Sequence, residues 1–392
     1  MHDHLKPFNR YRNWSLPHVV VGAAAIALSL NAGVASAICP DSNVLPVGTD
    51  KGGLVTYYFL GQGGRKGTTF QPDGNNKGGV RVAAGDVNGD GIADLITGPG
   101  KGPALPVRIF DGKSLDTEQP TQLASFFPFT NEWTDGVFVA AGDMDGDGTA
   151  EILIGQDAST RVLPAIQLPT LGSQVRIFSL VGDGSVIPVT GALSAIVPFA
   201  DFNGGVRVAT VDYSLGGREL ICAAGPGGGP HVKLLMPDGS VHAQFLAYDP
   251  AFAGGVWVAA GDVNGDGVAE IVTGPGPSKN GLIALLLPAV QAFAFNPNNP
   301  NQPFSVAHSI VPYGPVRGGI RVGIVCITTP CDSSPDSNIF VAPGPGGALP
   351  VKQFRFQSTD DAGLGNPAFY EIGFGGFHPF GTKSKNGILI GL

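Results

Sequence analysis

Charge is scarce in this sequence. Asp, Glu, Lys and Arg make up 14% of its 392 residues and the formal net charge is −8. Beyond the first dozen residues no cluster of Lys or Arg could neutralise a row of phosphates, which argues against nucleic acid as a partner. Cysteine is also scarce: with 4 in the chain, disulfides cannot be the main staple and a core of normal size must hold the fold. Histidine past the N-terminal segment is limited to His231, His242, His308 and His378. They are widely spaced and read as strand or loop residues. The sequence has no His-Glu-x-x-His, no Gly-x-Ser-x-Gly and no phosphate-binding Gly-x-x-x-x-Gly-Lys-Ser/Thr. Gly225-Pro-Gly-Gly-Gly229 is no nucleotide cradle either, because it recurs as a turn and no helical pattern follows it.

Long apolar runs are missing too, with one exception. Lys6, Arg10 and Arg12 precede an apolar stretch from Val19 to Val34 that ends in Ala35-Ser36-Ala37. This is the pattern of a secretory signal peptide over residues 1–37, too short for a comfortable membrane span. The mature chain is expected to be secreted, periplasmic or at the cell surface, with no membrane span once the leader is removed. In that oxidising setting Cys326 and Cys331, flanking Ile327-Thr328-Thr329-Pro330, are the expected disulfide. Cys222 lies in an apolar run that suits a buried free thiol.

What is abundant is glycine, 60 residues, and proline, 33, beside a hydrophobic fraction of 43%. That combination excludes long helices and disorder alike and points to a turn-rich, all-β protein. An internal repeat organises it. Gly79-Val-Arg-Val-Ala-Ala-Gly-Asp86 recurs from Gly136, Gly205 and Gly255, and a fifth copy begins Gly319-Ile-Arg-Val. The starts lie 57, 69, 50 and 64 residues apart, which suits a four-stranded propeller blade with variable loops. A second strand ends in Gly-Pro-Gly, as at Leu95 to Gly100 and Ile271 to Gly276. A third reads Val107-Arg-Ile-Phe110 and Val175-Arg-Ile-Phe178. A fourth ends in an aromatic after a bend, as in Phe127-Pro-Phe129 and Val311-Pro-Tyr313.

The chain ends carry partial repeats. Val55 to Tyr58 reads as a third strand and Thr68 to Pro72 as a fourth; Gly376-Phe377 restarts the motif, and Gly387 to Gly391 reads as a second strand expected to pair with Val55 to Tyr58. Five whole blades plus one assembled from both termini give a six-bladed β-propeller with no open edge, seven blades being the alternative. The domain organisation expected is a leader at 1–37, a lead-in at 38–52 and the propeller at 53–392.

Three of the turns between first and second strands carry one nonapeptide, starting at Asp86, Asp143 and Asp262. Positions 1, 3, 5 and 9 offer side-chain oxygens: Asp86, Asn88, Asp90 and Asp94; Asp143, Asp145, Asp147 and Glu151; Asp262, Asn264, Asp266 and Glu270. Position 7 (Ile92, Thr149, Val268) offers a backbone carbonyl and position 6 is glycine, together a hard-cation cage suited to Ca²⁺. An EF-hand is excluded, because position 12 is Thr97, Ile154 or Thr273 and the flanks are strands. The third blade has a shorter loop, Asp212 to Glu219, without the central acid, and the fifth has the Cys326 to Cys331 turn; neither is expected to bind metal. Arg81, Phe138, Arg207, Trp257 and Arg321 share one position of the innermost strand, which either lines a channel or faces a neighbouring blade.

This order of strand, acidic nonapeptide, strand and Gly-Pro-Gly resembles the FG-GAP family of extracellular propeller repeats, found in integrin α-subunit heads and many bacterial secreted proteins. The resemblance spans residues 53–392 and matches the family's calcium positions in the loops at 86–94, 143–151 and 262–270. It departs in reading Gly-Pro-Gly for Gly-Ala-Pro and in counting six blades where integrin heads have seven. It implies a calcium-stabilised propeller, with about three Ca²⁺ sites, that binds a protein or glycan in adhesion or scaffolding. The alternative is a polysaccharide-active enzyme, a lyase or hydrolase, with its site at the channel mouth.

Overall fold

The computed structural model describes residues 44–60, 65–74, 76–159, 172–213, 218–277, 289–299, 301–326, 337–346, 348–357, 368–380, 382 and 388–391. The expected signal peptide, Cys39 and Cys331 lie outside them. Among the described residues the regular structure is almost entirely β, in six four-stranded antiparallel sheets.

The chain begins with β1 (Val44–Thr49), β2 (Val55–Phe59) and β3 (Arg65–Lys66). Five meanders follow. The first blade is β4 (Val80–Gly85), β5 (Asp94–Pro99), β6 (Val107–Phe110) and β7 (Gln122–Phe126). The second is β8 (Val137–Gly142), β9 (Glu151–Gln156), β10 (Val175–Leu180) and β11 (Val186–Pro188). The third is β12 (Val206–Val211), β13 (Glu219–Ala224), β14 (His231–Leu235) and β15 (Val241–Leu246). The fourth is β16 (Val256–Gly261), β17 (Glu270–Pro275), β18 (Val290–Phe295) and β19 (Phe304–Ile310). The fifth is β20 (Ile320–Cys326), β21 (Ser337–Pro343), β22 (Val351–Gln357) and β23 (Ala368–Phe377). The sixth joins β24 (Ile388–Ile390) to the N-terminal strands in the order β24-β1-β2-β3.

The innermost strands β4, β8, β12, β16, β20 and β24 touch one another in cyclic order, β24 returning to β4, so the ring is closed. Closure through both termini leaves no inner edge to template another chain. Strand assignments within the sixth blade differ from the sequence expectation. Ile388–Ile390 takes the first position and pairs with β1, with Val47 opposite Ile390 and Thr49 opposite Ile388. The second position belongs to Val44–Thr49, which the sequence places in the lead-in, and only then comes β2. The fourth strand is Arg65–Lys66, while Phe70 makes a single bridge to Val55. Gly376 and Phe377 end β23 instead of starting another repeat.

Burial peaks at the second strands and falls towards the outer edge of each blade. Every residue of the second strands β1, β5, β9, β13, β17 and β21 is buried, because each is packed on both faces by adjacent blades, and they accordingly read as continuous apolar runs. The core is six clusters, one in each gap between neighbouring blades. Ile96, Ile109, Val139 and Ile154 fill the gap between the first and second, and Leu45, Val47, Phe340 and Ile390 that between the fifth and sixth. Such close approach explains the glycine one residue before the end of these second strands: a Cβ on Gly155 would lie 2.2 Å from the Val206 carbonyl oxygen of the next blade, and one on Gly48 2.1 Å from that of Val80.

The aromatic after the fourth strand has a mechanical role. Tyr248 donates to the Thr273 carbonyl at 3.0 Å and Tyr313 to the Val341 and Pro350 carbonyls at 2.9 and 2.6 Å. Each hydroxyl thereby ties its own blade to the second strand of the next.

Candidate functional site

Three acidic loops connect first to second strands in the first, second and fourth blades, all at the same end of the ring because the inner strands run the same way. Their conformation follows from the repeat. Glycines at positions 4 and 6 adopt left-handed backbone, with φ of 75° and 81° at Gly89 and Gly91 and 81° and 90° at Gly146 and Gly148, which side-chain-bearing residues resist. The resulting turns aim backbone N–H groups at the acids. Asp143 accepts from Gly146 and Gly148 at 2.7 and 2.9 Å, and Asp147 accepts from Thr149 at 2.7 Å. Asp86 and Asp262 make the same bonds to Gly89 and Gly91 and to Gly265 and Gly267.

Position 9 sits underneath. Asp94, Glu151 and Glu270 begin the second strands and are 0%, 3% and 1% exposed. Each accepts the N–H of position 2, from Val87, Met144 and Val263 at 3.2, 2.7 and 3.1 Å. Burial first, and then repulsion from the other loop acids, pushes Asp94 up to about 7, Glu151 to about 7 and Glu270 to about 8. A buried carboxylate facing further carboxylates is a charge distribution that a cation relieves.

The loops are not equivalent. In the second, ligand oxygens of Asp143, Asp145 and Glu151 all come within 4.8 Å of one another. In the first and fourth blades, position 3 is an amide, and Asn88 and Asn264 donate to Asp94 and Glu270 at 3.3 and 2.8 Å. The Lys113 ammonium lies 3.0 Å from Asp90, so the first loop already holds a side-chain cation at its rim. Ile92, Thr149 and Val268 sit at the turn with their N–H groups on position 5. In the third blade Glu219 occupies the position 9 site, and the His242 imidazole approaches both its oxygens at 3.0 Å. Of the expected Cys326 to Cys331 bridge, only the Cys326 backbone, at the end of β20, falls among the described residues.

At the other end of the inner strands lies a second assembly, and it settles where the shared position points. Phe138 and Trp257 belong to blades that are not neighbours, yet their rings meet edge-to-face at 5.6 Å between centroids. Only side chains inside the channel can do this. Around the axis the position reads Arg81, Phe138, Arg207, Trp257, Arg321 and Leu389, cations alternating with apolar groups. Arg207 lies over Trp257 at 4.1 Å and near Phe138 at 5.5 Å. Arg81 faces Phe138 at 5.2 Å, and Arg321 faces Trp257 at 5.0 Å. Arg81 is paired with Asp157 at 2.6 Å and Arg321 with Asp50 at 2.5 Å. Neither aspartate stands out in the sequence alone, although each replaces the glycine that follows the second strand in the other four blades.

A closed ring of six antiparallel blades, with acidic turns at one end and a girdle of side chains in the channel at the other, defines a β-propeller. Residues 78–102, covering β4, the first acidic loop and β5, match the model of the FG-GAP repeat, and this match together with the six-bladed ring supports an FG-GAP β-propeller. Among solved structures, that of the exotype rhamnogalacturonan lyase YesX aligns with a TM-score of 0.32 and 15% identity, over 83% of this chain and 57% of that one. The chain thus spans little more than half the length of that protein. Among the described residues no helix is long and apolar enough to cross a membrane, which says nothing of β-barrels.

Proposed function

We propose that this propeller is an exported, calcium-stabilised module that binds a protein or glycan ligand, in adhesion or as a scaffold. The observation that carries the reading is the gathering of Asp143, Asp145 and Glu151 at a glycine-shaped turn over a buried carboxylate. Asp143, Asp145, Asp147 and Glu151, with the Thr149 carbonyl, would hold Ca²⁺ there, and the corresponding residues of the other two loops would hold one ion each. A bound ion supplies charge compensation and a fixed turn. The protein's own residues then present the loops at that end as a rigid face. Residues 1–37 serve as the export leader in this reading, and the Cys326 to Cys331 bridge closes the fifth blade's turn.

The carboxylates of the three acidic loops accept from backbone N–H groups, Glu219 is held by His242, and the two at the channel are paired with arginine. That distribution favours binding over the alternative, a polysaccharide lyase or hydrolase working in the channel. The test is a binding screen of the mature chain against immobilised glycans and extracellular proteins, with calcium and after chelation. Calcium-dependent retention supports the reading. Turnover of a polysaccharide that survives chelation and is lost on changing Arg81 overturns it.

A further inference from the structure

Among the described residues the channel girdle has one cation more than it has anions. Three guanidinium groups, Arg81, Arg207 and Arg321, converge there with two carboxylates, Asp157 and Asp50. Arg207 has no acidic side chain in salt-bridge reach among the described residues. It donates to the Val256 carbonyl at 3.0 Å and makes a long contact to that of Ala224 at 3.5 Å. The glycine at Gly276 takes the place that an aspartate holds opposite Arg81 and Arg321. Arg207 is 4% exposed and Arg321 5%, and a guanidinium stays protonated even when burial drives its pKa down to about 9, as here.

Several donors on the same groups have no partner. Arg81 Nε and Nη1, Arg207 Nε, Arg321 Nε and the Trp257 indole N–H are buried without an acceptor among the described residues. Buried donors are normally satisfied, and leaving them so costs about 1–3 kcal/mol each. The stacking of Arg207 on Trp257 offsets part of the charge but provides no acceptor for an in-plane N–H.

We infer that the girdle of Arg81, Arg207 and Arg321 is a binding site for a small monovalent oxyanion, a carboxylate being the chemistry that fits best. One negative charge balances the excess cation, and two coplanar oxygens match the fork of a guanidinium. The aromatic rings of Phe138 and Trp257 flank the guanidinium groups and favour a small anion over a bulky one. The site lies at the opposite end of the inner strands from the acidic loops and does not depend on the calcium reading. The same chemistry could arrive as a free anion or as a carboxylate borne on a larger ligand.

The experiment follows thermal unfolding and the tryptophan emission of the full mature chain, with Trp133→Phe as background so that Trp257 reports alone and with calcium held constant, while sodium formate, sodium nitrate or sodium sulfate is added. For the wild type a saturable rise in Tm of a few degrees is expected with formate and nitrate, with a matching change in emission, and a weaker response to sulfate, whose second charge has no counterpart. Arg207→Met should show only the linear salt response. If Arg207→Met fails to fold, Arg207→Lys, which keeps the charge but not the fork, should weaken formate binding by at least tenfold. The absence of saturation in the wild type overturns the inference, as does identical saturation in Arg207→Met or, where that variant does not fold, in Arg207→Lys. A parallel series with propionate and benzoate separates the sources: retained saturation with benzoate supports a site open to a ligand-borne carboxylate, and loss of it supports a site for free ions.

Discussion

His242 Nδ1 stands 3.0 Å from both carboxylate oxygens of Glu219, the residue that in the third blade holds the place of Glu151 and Glu270 in their own blades. Where the neighbouring loops gather acids above their buried carboxylate, this blade offers a side-chain partner from β15 instead.

Removing that partner leaves Glu219, which is fully buried, facing Asp212 without its imidazole. His242→Ala is expected to lower stability by about 1–3 kcal/mol, the cost of an unsatisfied buried acceptor. The loss should be the same with calcium and with chelator, since the third blade lacks the cage. Paired urea titrations measure this. A loss that appears only in the presence of calcium would show that the third blade binds an ion after all.

Calcium held as proposed should bind the three acidic loops with different affinities. Carboxylate number should set affinity, with four in the second loop and three in each of the others, within a range for extracellular modules on the order of 10⁻⁴ to 10⁻³ M. Asp145→Ala should therefore remove the largest share of the calcium-induced rise in Tm. Lys113, 3.0 Å from Asp90, would compete with a metal in the first loop. Lys113→Ala should tighten that loop a few-fold while leaving the second unchanged. Calorimetric titration of both variants, compared with the wild type, resolves the order.

Much of this was legible in the sequence because it is local and repeated. The β4, β8, β12 and β16 copies, the Gly-Pro-Gly endings and the three nonapeptides each recur as a short motif of a few residues. Val44–Thr49 was not legible, since Pro46 argues against a central strand. The structure shows why proline is tolerated there. Its carbonyl accepts the Gly391 N–H at 2.9 Å, so its missing donor faces the same side, where β24 ends. Asp50 and Asp157 were hidden for a different reason: their partners lie in other blades, 271 and 76 residues away. The repeat register would have flagged them as the two acids at a glycine position.

The pH dependence of the calcium-free protein follows from the position 9 carboxylates. Asp94, Glu151 and Glu270 titrate near 7, 7 and 8 in the fold, but close to about 4 in an unfolded chain. The folded state therefore binds more protons across that window, and these groups make it more stable as pH falls from about 8 to about 5 and less stable as pH rises. Calcium should flatten the slope by replacing the protons. Melting curves between these limits, with chelator and with calcium, test the sign; stability of the chelated protein that rises with pH would contradict it.

The last prediction concerns ring closure. β24 is three residues long, yet Ile388, Leu389 and Ile390 are all buried, and Leu389 fills the sixth position of the channel girdle. Deleting residues 387–392 removes those side chains at about 2–5 kcal/mol apiece, a total comparable with the whole stability of a domain. It also uncovers the inner edge of β1, whose Val47–Thr49 segment would present unpaired backbone groups to other molecules. The truncated chain should unfold at a much lower temperature and associate through that edge. A synthetic peptide covering residues 386–392 should restore the Tm in proportion to its concentration, because it binds the folded ring and not the unfolded chain. The same peptide with Ile390→Asp should fail, since a carboxylate there would enter the apolar core between the fifth and sixth blades. A truncated chain with unchanged Tm would mean that five blades and the N-terminal strands hold the ring without the clasp.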